Sequence, residues 1–172
     1  GGSLNRITAG GTIDLAGAAD TRGAVAGYGG ELSFKGQTIR LATAVVLPSG
    51  KVTLQATDDV VLTDDALIDV AGRAVGFNDI TQYGAGGDVL LDSRQAAGST
   101  IDLSAKYNQG GRLRAVAVNA AGGTVDLQGK ILGGSSGYYN AGGTYVPYLG
   151  GILEIQAQRL GSSGSLDQQF AA

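Results

Sequence analysis

The chain lacks four residue types altogether, because none of its 172 residues is cysteine, methionine, tryptophan or histidine. The absence of cysteine excludes a disulfide framework and a thiolate metal site. The absence of histidine removes the commonest general base and metal ligand. We therefore expect neither a metal ion nor another cofactor.

Long hydrophobic runs and charge clusters are also missing. The longest apolar stretch, residues 41–48, is far shorter than the roughly 20 residues that a membrane-spanning helix needs, so no transmembrane segment is expected. No signal peptide is recognisable, and we interpret the chain as a piece of a longer exported protein. The 12 lysines and arginines form no cluster and leave a net charge of −3, which argues against a nucleic-acid partner.

Glycine is abundant, with 31 residues, beside 43% hydrophobic residues. Disordered glycine-rich chains contain less apolar material, and collagen places glycine at every third position. Frequent glycine together with β-branched residues instead indicates many short strands joined by tight turns.

An internal repeat runs through the middle of the chain. Residues 86–109 match residues 110–133 at a shift of 24, with nine of 24 positions identical. The matches include Asp102 on Asp126. A period in this range is typical of stacked supersecondary units, none of which buries its apolar face alone.

One strand module recurs along the chain, a small residue followed by alternating polar and apolar residues, as in residues 11–15. This alternation predicts half-buried strands, with Ile13 and Leu15 inward and Asp14 outward. The modules begin at Gly11, Gly30, Gly50, Gly87, Ser99, Gly111, Gly123 and Gly151. Further strands are expected at residues 38–41, 44–47, 60–63 and 67–70. Residues 64–72 have the end signals of a helix but are predicted as strand, because their apolar residues lie between turn residues within the repeat.

These patterns predict an all-β fold, a right-handed parallel β-helix (solenoid) of roughly seven to eight coils with irregular insertions. Glycines are expected at corners, where positive φ or close backbone approach is needed. The β-helix is predicted to cover residues 1–160. The Gly/Ser-rich tail, residues 161–172, is expected either to be disordered or to cap the last coil through Phe170.

Two segments, residues 73–85 and 133–149, break the period. Insertions in solenoids gather on one face, which is often used for binding. The second segment carries the candidate binding residues Tyr138, Tyr139, Tyr145 and Tyr148, whose flat apolar rings and polar tips suit sugars. A structural interpretation stands beside this one, because five tyrosines precede a Gly-Gly pair by one to three residues and would cover exposed glycine backbone. These are Tyr28, Tyr83, Tyr107, Tyr139 and Tyr148.

Aspartates are the strongest candidates for catalytic or metal-binding residues. On neighbouring coils, Asp102 and Asp126 would lie about 4.8 Å apart, close to the carboxylate separation of a retaining glycosidase. The simpler interpretation is that both occupy the outward position of the module, as Asp14 does. A second group suggests calcium, but the known calcium-loop patterns are missing and turn capping is the favoured role. It comprises Asp58, Asp59, Asp64, Asp65 and Asp69.

Alternation also predicts an outward apolar strip of Leu90, Val116 and Val118, which we expect a loop or the tyrosine-rich segment to cover. Asp88 is expected beside Arg112 as a surface ion pair of little energetic value.

Residues 52–62 (VTLQATDDVVL) and 66–72 (ALIDVAG) resemble repeats of filamentous haemagglutinin-like exoproteins of two-partner secretion systems. The resemblance extends from about residue 10 to 160. It implies a long adhesin rod that an outer-membrane transporter exports unfolded, and the absence of cysteine suits such export. The secretion domain of that family carries Asn-Pro motifs, and this chain has none. The resemblance therefore implies a shaft or C-terminal fragment without catalytic residues.

The expected function is that of a non-enzymatic, structural and adhesive segment of a secreted or bacterial cell-surface exoprotein that binds a host-cell receptor or glycan. Two alternatives stay open. One is a polysaccharide lyase or hydrolase centred on Asp102 and Asp126, and the other is a stalk that delivers a C-terminal toxin.

Overall fold

In the computed structural model, the described residues are 3–17, 28–91, 93–95, 98–117, 124–161 and 170–171. This part of the chain is all-β: it consists of strands and turns and contains no helix that could cross a membrane. Its strands are β1 (Leu4–Thr8), β2 (Thr12–Ala16), β3 (Glu31–Ala42), β4 (Ala44–Val46), β5 (Lys51–Leu62), β6 (Leu67–Asp69), β7 (Ala74–Phe77), β8 (Ile80–Tyr83), β9 (Asp88–Leu91), β10 (Ser93–Gln95), β11 (Thr100–Asp102), β12 (Arg112–Ala117), β13 (Thr124–Leu127), β14 (Lys130–Leu132), β15 (Tyr138–Ala141), β16 (Thr144–Pro147), β17 (Ile152–Ala157), β18 (Arg159–Leu160) and β19 (Phe170–Ala171).

The strands pair in three parallel ladders. The first ladder has the order β1-β3-β5-β9-β12-β17. The second has the order β2-β3-β5-β10-β13-β18, and the third has the order β4-β6-β11-β14-β19. The long strands β3 and β5 belong to both the first and the second ladder, and their register shifts between Gly36 and Thr38. The prediction of an all-β fold with parallel pairing is confirmed.

The core consists of apolar side chains that stack along each ladder. In the first ladder Val52, Val89 and Leu113 occupy equivalent positions and are at most 1% exposed. In the third ladder, Ile101 pairs with Ile68 on one side and with Ile131 on the other, and all three side chains are 0% exposed. Each such side chain contributes roughly 1.5–3 kcal/mol through burial. The predicted alternation is confirmed in β9 and β12, where buried and more exposed positions alternate.

Glycines mark the start of the first-ladder strands for a steric reason. A Cβ on Gly87 would lie 2.0 Å from the carbonyl oxygen of Gly50, and a Cβ on Gly111 would lie 2.0 Å from that of Gly87. A Cβ on Gly50 would likewise lie 2.7 Å from the carbonyl oxygen of Gly30. Of the two reasons expected for corner glycines, close backbone approach is therefore the one that applies to this row.

The 24-residue repeat describes only part of the pairing. It is correct for β9 and β12, where Asp88 lies opposite Arg112. It is wrong for β11, which pairs with β14 at a shift of 30, whereas β13 pairs with β10 in another ladder. The cause is the length of the connection between the first and the second ladder. One residue separates β9 from β10, but residues 118–123 separate β12 from β13. Modules of similar sequence thus occupy different ladders. Among the described residues the first ladder has six strands, fewer than the seven to eight coils expected.

Residues 64–72 contain the strand β6 and no helix, as predicted. Both segments that break the repeat form antiparallel hairpins, β7–β8 and β15–β16. In the tail, β19 pairs with β14 and sets Phe170 beside Ile131, while residues 162–169 lie outside the described residues.

Candidate functional site

The four candidate tyrosines lie on or beside the β15–β16 hairpin. Its turn consists of Gly142 and Gly143, both with positive φ (64° and 97°), and the Asn140 Oδ1 atom accepts a hydrogen bond of 2.6 Å from the Gly143 N–H. A Gly-Gly pair between alternating residues is a hairpin signal, because two-residue hairpin turns require positive φ. The hairpin was therefore readable from the sequence.

Strand register divides these tyrosines between the two faces of the hairpin. Tyr138 pairs with Pro147, and Tyr145 pairs with Asn140, so Tyr138 and Tyr145 lie diagonally on one face. They are 66% and 73% exposed. Tyr139 pairs with Val146 on the opposite face. The two outward tyrosines thus form a solvent-facing surface, which we call the Tyr138/Tyr145 face.

The opposite face is a packing face. The rings of Tyr139 and Tyr148 lie 5.4 Å apart in a tilted arrangement, and Val146 and Tyr148 are half-buried. Aromatic pairs in this geometry contribute about 0.5–1.5 kcal/mol beyond their burial. The structure therefore separates the four predicted residues into two pairs with different surroundings.

The base of the β15–β16 hairpin is anchored to the loop after β11. The Ser136 N–H donates to the Ala105 carbonyl over 3.2 Å, and the Tyr107 N–H donates to Ser136 Oγ over 3.4 Å. On the other side, Ser135 Oγ donates to the Tyr148 carbonyl over 2.8 Å. The first two bonds tie the hairpin base to the loop after β11, and the third joins the two ends of the hairpin to each other.

Tyr107 joins the two hairpins, which the sequence did not reveal. Its ring packs edge-on against Tyr83 at 4.9 Å between centroids, and the Asn108 side chain donates to the Tyr83 carbonyl over 2.7 Å. A Cβ on Gly137, at the base of the second hairpin, would lie 2.7 Å from the Tyr107 ring. Tyr107 itself has φ of 52°. The glycine that it covers is distant in sequence from the Gly-Gly pair that follows it.

The β7–β8 hairpin presents a second exposed apolar tip. Phe77 and Ile80 pair directly and are 58% and 61% exposed, with Asn78 in the turn at a φ of 52°. The sequence analysis noted Phe77 but not this pairing. Alternation around Asn78 and Asp79 was the available signal, since such residues tolerate left-handed turns.

The two aspartates of the enzyme alternative are not neighbours in either ladder. Asp102 lies in the third ladder opposite Asp69 and Leu132, and Asp126 lies in the second ladder, with its Oδ2 bonded to the Gln128 side chain at 2.9 Å. The prediction that they stack about 4.8 Å apart is wrong, because the repeat was extended beyond the segment where it holds.

Three of the remaining aspartates accept hydrogen bonds from backbone N–H groups or from a neighbouring side chain. Asp64 Oδ1 accepts from the Gly98 N–H over 2.9 Å, Asp69 Oδ1 accepts from the Ala71 N–H over 3.0 Å, and Asp58 accepts from the Gln37 side chain over 2.8 Å. Turn capping is thus confirmed for Asp69, whereas Asp64 caps a backbone amide that is 34 residues away in sequence. Within the described ranges, no group of three or more acidic residues is placed to hold a metal ion.

The outer surface of the first ladder carries charge. Arg112 Nε lies 3.4 Å from Asp88 Oδ1, as predicted, and Lys51 Nζ lies 3.3 Å from Glu31 Oε1. Beside these rows a shallow depression of about 570 Å³ is lined by Arg112, Arg114, Glu154, Ile155 and Gln156. Its charges are largely matched within the surface, so it has no strong preference for ions of one sign.

The outward apolar strip is partly shielded. Leu90 and Val116 are half-buried, and Thr53, opposite Leu90 on the neighbouring strand, is 8% exposed. Full solvation of the strip, the result that would have refuted the expected cover, is not observed. The identity of the covering segment stays a prediction, and Val118 lies outside the described residues.

Comparison with known proteins identified no relative: no protein-family model, curated protein or solved structure matches the chain.

Proposed function

We propose that the chain is part of a right-handed parallel β-helix. The supporting observation is the order in which the chain visits the ladders. It passes from the first to the second to the third through β3 and β4, and repeats this through β5 and β6, through β9, β10 and β11, and through β12, β13 and β14. A chain that returns to the first ladder after each pass winds as a coil. Parallel connections of this kind are almost always right-handed.

The function that we infer for this rod is structural and adhesive. The chain would be a non-enzymatic segment of a large secreted exoprotein on a bacterial cell surface, exported by an outer-membrane transporter and attached to host cells or other surfaces. The observation that carries the adhesive part is the Tyr138/Tyr145 face. Two tyrosines that are 66% and 73% exposed lie on one side of an anchored hairpin, so both side chains are largely in solvent.

The ligand class that suits this face is a glycan. Aromatic rings offer flat apolar surfaces to the C–H faces of sugars, and the phenolic hydroxyls donate and accept hydrogen bonds. Because the hairpin is anchored at its base, the backbone that carries the two rings is already positioned before a ligand binds, which limits the ordering cost to the side chains. The resemblance to adhesin repeats points in the same direction.

The enzyme alternative loses its geometric support, since Asp102 and Asp126 belong to different ladders. Asp102 accepts a hydrogen bond from the Ser104 N–H at 2.9 Å, which gives it a structural role.

The test is binding of the purified chain to a glycan array, with polysaccharide cleavage measured on the same samples. We expect saturable binding without cleavage, and loss of binding in the double variant Tyr138→Ala/Tyr145→Ala. The matched control is Phe77→Ala/Ile80→Ala, which removes similarly exposed apolar groups from the other hairpin and is expected to bind as the parent chain does. Equal binding by both double variants would refute the assignment of the face. Cleavage would contradict the non-enzymatic function.

A further inference from the structure

Exposed apolar side chains gather at one corner of the coil. This corner, which we call the third-to-first corner, consists of the segments that lead from the third ladder back to the first, residues 47–50, 70–87, 103–111 and 133–151. Among the described residues, seven of the twelve large hydrophobic side chains that are exposed lie on it: Phe77, Ile80 and Leu149, together with four tyrosines. A concentration of exposed apolar surface marks a contact with a partner or a membrane.

The third-to-first corner carries little charge. Its four segments contain three charged residues, Arg73, Asp79 and Lys106, although charged residues make up 16% of the chain. Arg73 pairs with Asp69 of β6, and the charges of Asp79 and Lys106 are opposite. The Lys106 Nζ atom lies 5.3 Å from the centroid of the Tyr107 ring. Tyrosine rings with polar tips and lysine stems are typical of the interface between a lipid bilayer and water, so the composition of this corner suits a bilayer surface.

Both hairpins leave the coil at this corner and have the same length. Each consists of two strands of four residues and a two-residue turn. One coil lies between them, so their bases are about 10 Å apart along the ladders. The Tyr107 ring fills this interval, since it packs against Tyr83 of the first hairpin and lies against Gly137 at the base of the second. Two hairpins of equal reach on one corner are suited to contact the same flat surface.

The apolar tip of the β7–β8 hairpin lies well inside the described part of the rod. On one side of the hairpin base, Ser49 Oγ donates to the Ala85 carbonyl over 2.7 Å. On the other side, the Asn108 side chain donates to the Tyr83 carbonyl over 2.7 Å. The corner segments next to this hairpin, residues 47–50 and 103–111, thus both belong to this chain. The exposure of the tip therefore does not depend on coils that precede or follow the chain in a longer rod.

We propose that the third-to-first corner contacts the surface of a lipid bilayer whose headgroups carry no net charge, and that Phe77 and Ile80 enter its interfacial region. These two side chains pair directly at the hairpin tip and are 58% and 61% exposed. Backbone groups at a hairpin turn have no partners in the hydrocarbon core, so the tip enters the interface and does not span the bilayer. This contact needs no sugar and goes beyond the proposed function. Where a membrane also carries the glycan, the two contacts reinforce each other.

Tryptophan fluorescence tests the depth of the tip directly, because the chain has no tryptophan of its own. Phe77→Trp places a single indole at the tip, and its emission is expected to shift to shorter wavelengths when phosphatidylcholine vesicles are added. Lipids brominated near the headgroup are expected to quench it. The control is Leu4→Trp, at a position of β1 that is 53% exposed, and its emission is expected to stay unchanged. Equal shifts in both variants, or no shift of Phe77→Trp at any lipid concentration, would overturn the proposal.

Co-sedimentation with the same vesicles measures the contribution of the tip. Phe77→Ala/Ile80→Ala is expected to lower the partition coefficient by about tenfold or more, since burying one large apolar side chain is worth about that factor. Leu4→Ala/Ile7→Ala removes two apolar side chains of similar exposure from β1 and is expected to bind as the parent chain does. Circular dichroism confirms that each variant is folded. Equal losses in the two double variants would contradict the assignment of the contact to this corner.

Lipid composition separates this contact from other kinds of binding. Because the chain has a net charge of −3, adding phosphatidylserine to the vesicles is expected not to strengthen binding. Binding that requires phosphatidylserine and disappears at high salt would contradict the proposal, since salt screens electrostatic contacts. The vesicles contain no sugar and a glycan array contains no lipid, so the two functions fail separately. A parent chain that binds the array but not the vesicles overturns the bilayer contact alone, and the reverse result overturns the glycan site alone.

Discussion

Asp69 and Asp102 lie opposite each other on the neighbouring strands β6 and β11, and each carboxylate accepts a hydrogen bond from the backbone N–H two residues later, that of Ala71 and of Ser104. Asp69 also pairs with Arg73. The acidic pair that the fold brings together is therefore a repeated turn support. It is a different pair from the Asp102 and Asp126 of the enzyme alternative.

Removing the Asp69 carboxylate is expected to destabilise the chain. Asp69 is 9% exposed, and Asp69→Ala leaves the Ala71 N–H without its acceptor and Arg73 without its partner. Hydrogen bonds to charged groups contribute about 1.5–3 kcal/mol, and we expect a loss of that size in the free energy of unfolding from urea titrations followed by circular dichroism.

The matched control is Asp102→Asn. The asparagine oxygen accepts the same bond from the Ser104 N–H and the variant removes a like charge opposite Asp69, so stability is expected to change by less than about 0.5 kcal/mol. A loss in this variant as large as that of Asp69→Ala would contradict the turn-support role.

The glycine row makes a steric prediction. A Cβ on Gly87 would lie 2.0 Å from the Gly50 carbonyl oxygen, whereas nothing lies within 4 Å of a Cβ on Gly76. Gly87→Ala must therefore push two strands apart and is expected to cost at least about 2 kcal/mol or to prevent folding. Gly76→Ala is expected to be neutral or slightly stabilising. Thermal unfolding of both variants decides the matter, and equal melting temperatures would show that the strands do not approach so closely.

The stacked interior predicts a contrast between two leucines. Leu91 is 0% exposed and Leu149 is 74% exposed. Leu91→Ala is expected to lower the free energy of unfolding by about 2–5 kcal/mol, because it leaves a cavity between stacked coils, and Leu149→Ala by less than about 0.5 kcal/mol. Chemical denaturation measures both. Similar values would mean that Leu91 does not belong to a packed core.

The two faces of the β15–β16 hairpin are expected to respond differently. Tyr148→Ala removes the ring that packs 5.4 Å from Tyr139 and is expected to raise amide hydrogen exchange across residues 138–147 while leaving the ladders protected. Tyr145→Ala removes a ring from the exposed face and is expected to leave exchange unchanged. Mass spectrometry of peptides from the hairpin makes the comparison. Faster exchange in Tyr145→Ala would assign a packing role to the Tyr138/Tyr145 face.

Alternation and glycine spacing predicted the strands and the inward residues, and they located the two segments that break the repeat, because each depends on local sequence. That these segments form hairpins was not predicted. Val89 and Leu91 are buried, as the alternation that turns Leu90 outward requires, and Asp88 lies beside Arg112. The pairing of strands that are far apart in sequence was harder to predict from the sequence. The same module, apolar residues around an outward aspartate, serves the second ladder at Asp126 and the third at Asp102, so its sequence does not say which ladder it joins.

For the candidate site, the sequence predicted which segment carries the tyrosines but not which of them share a surface. Sequence placed Tyr138, Tyr139, Tyr145 and Tyr148 together in one insertion, but their division between two faces depends on the pairing of the hairpin. The contact between Tyr83 and Tyr107 joins the first insertion to the loop after β11. Such a contact depends on how the hairpins dock on the ladders, which no local pattern encodes.

Everything proposed for this chain depends on strands from successive passes lying side by side in parallel register. The most direct measurement is nuclear magnetic resonance of the labelled chain, with contacts sought between the backbone protons of Leu113 and those of its partners. A parallel β-helix requires that Leu113 contact both Val89 and Leu153, with adjacent residues following in the same direction. Contacts that run in the antiparallel direction, or that join Leu113 to neither partner, would contradict the fold and the function proposed from it.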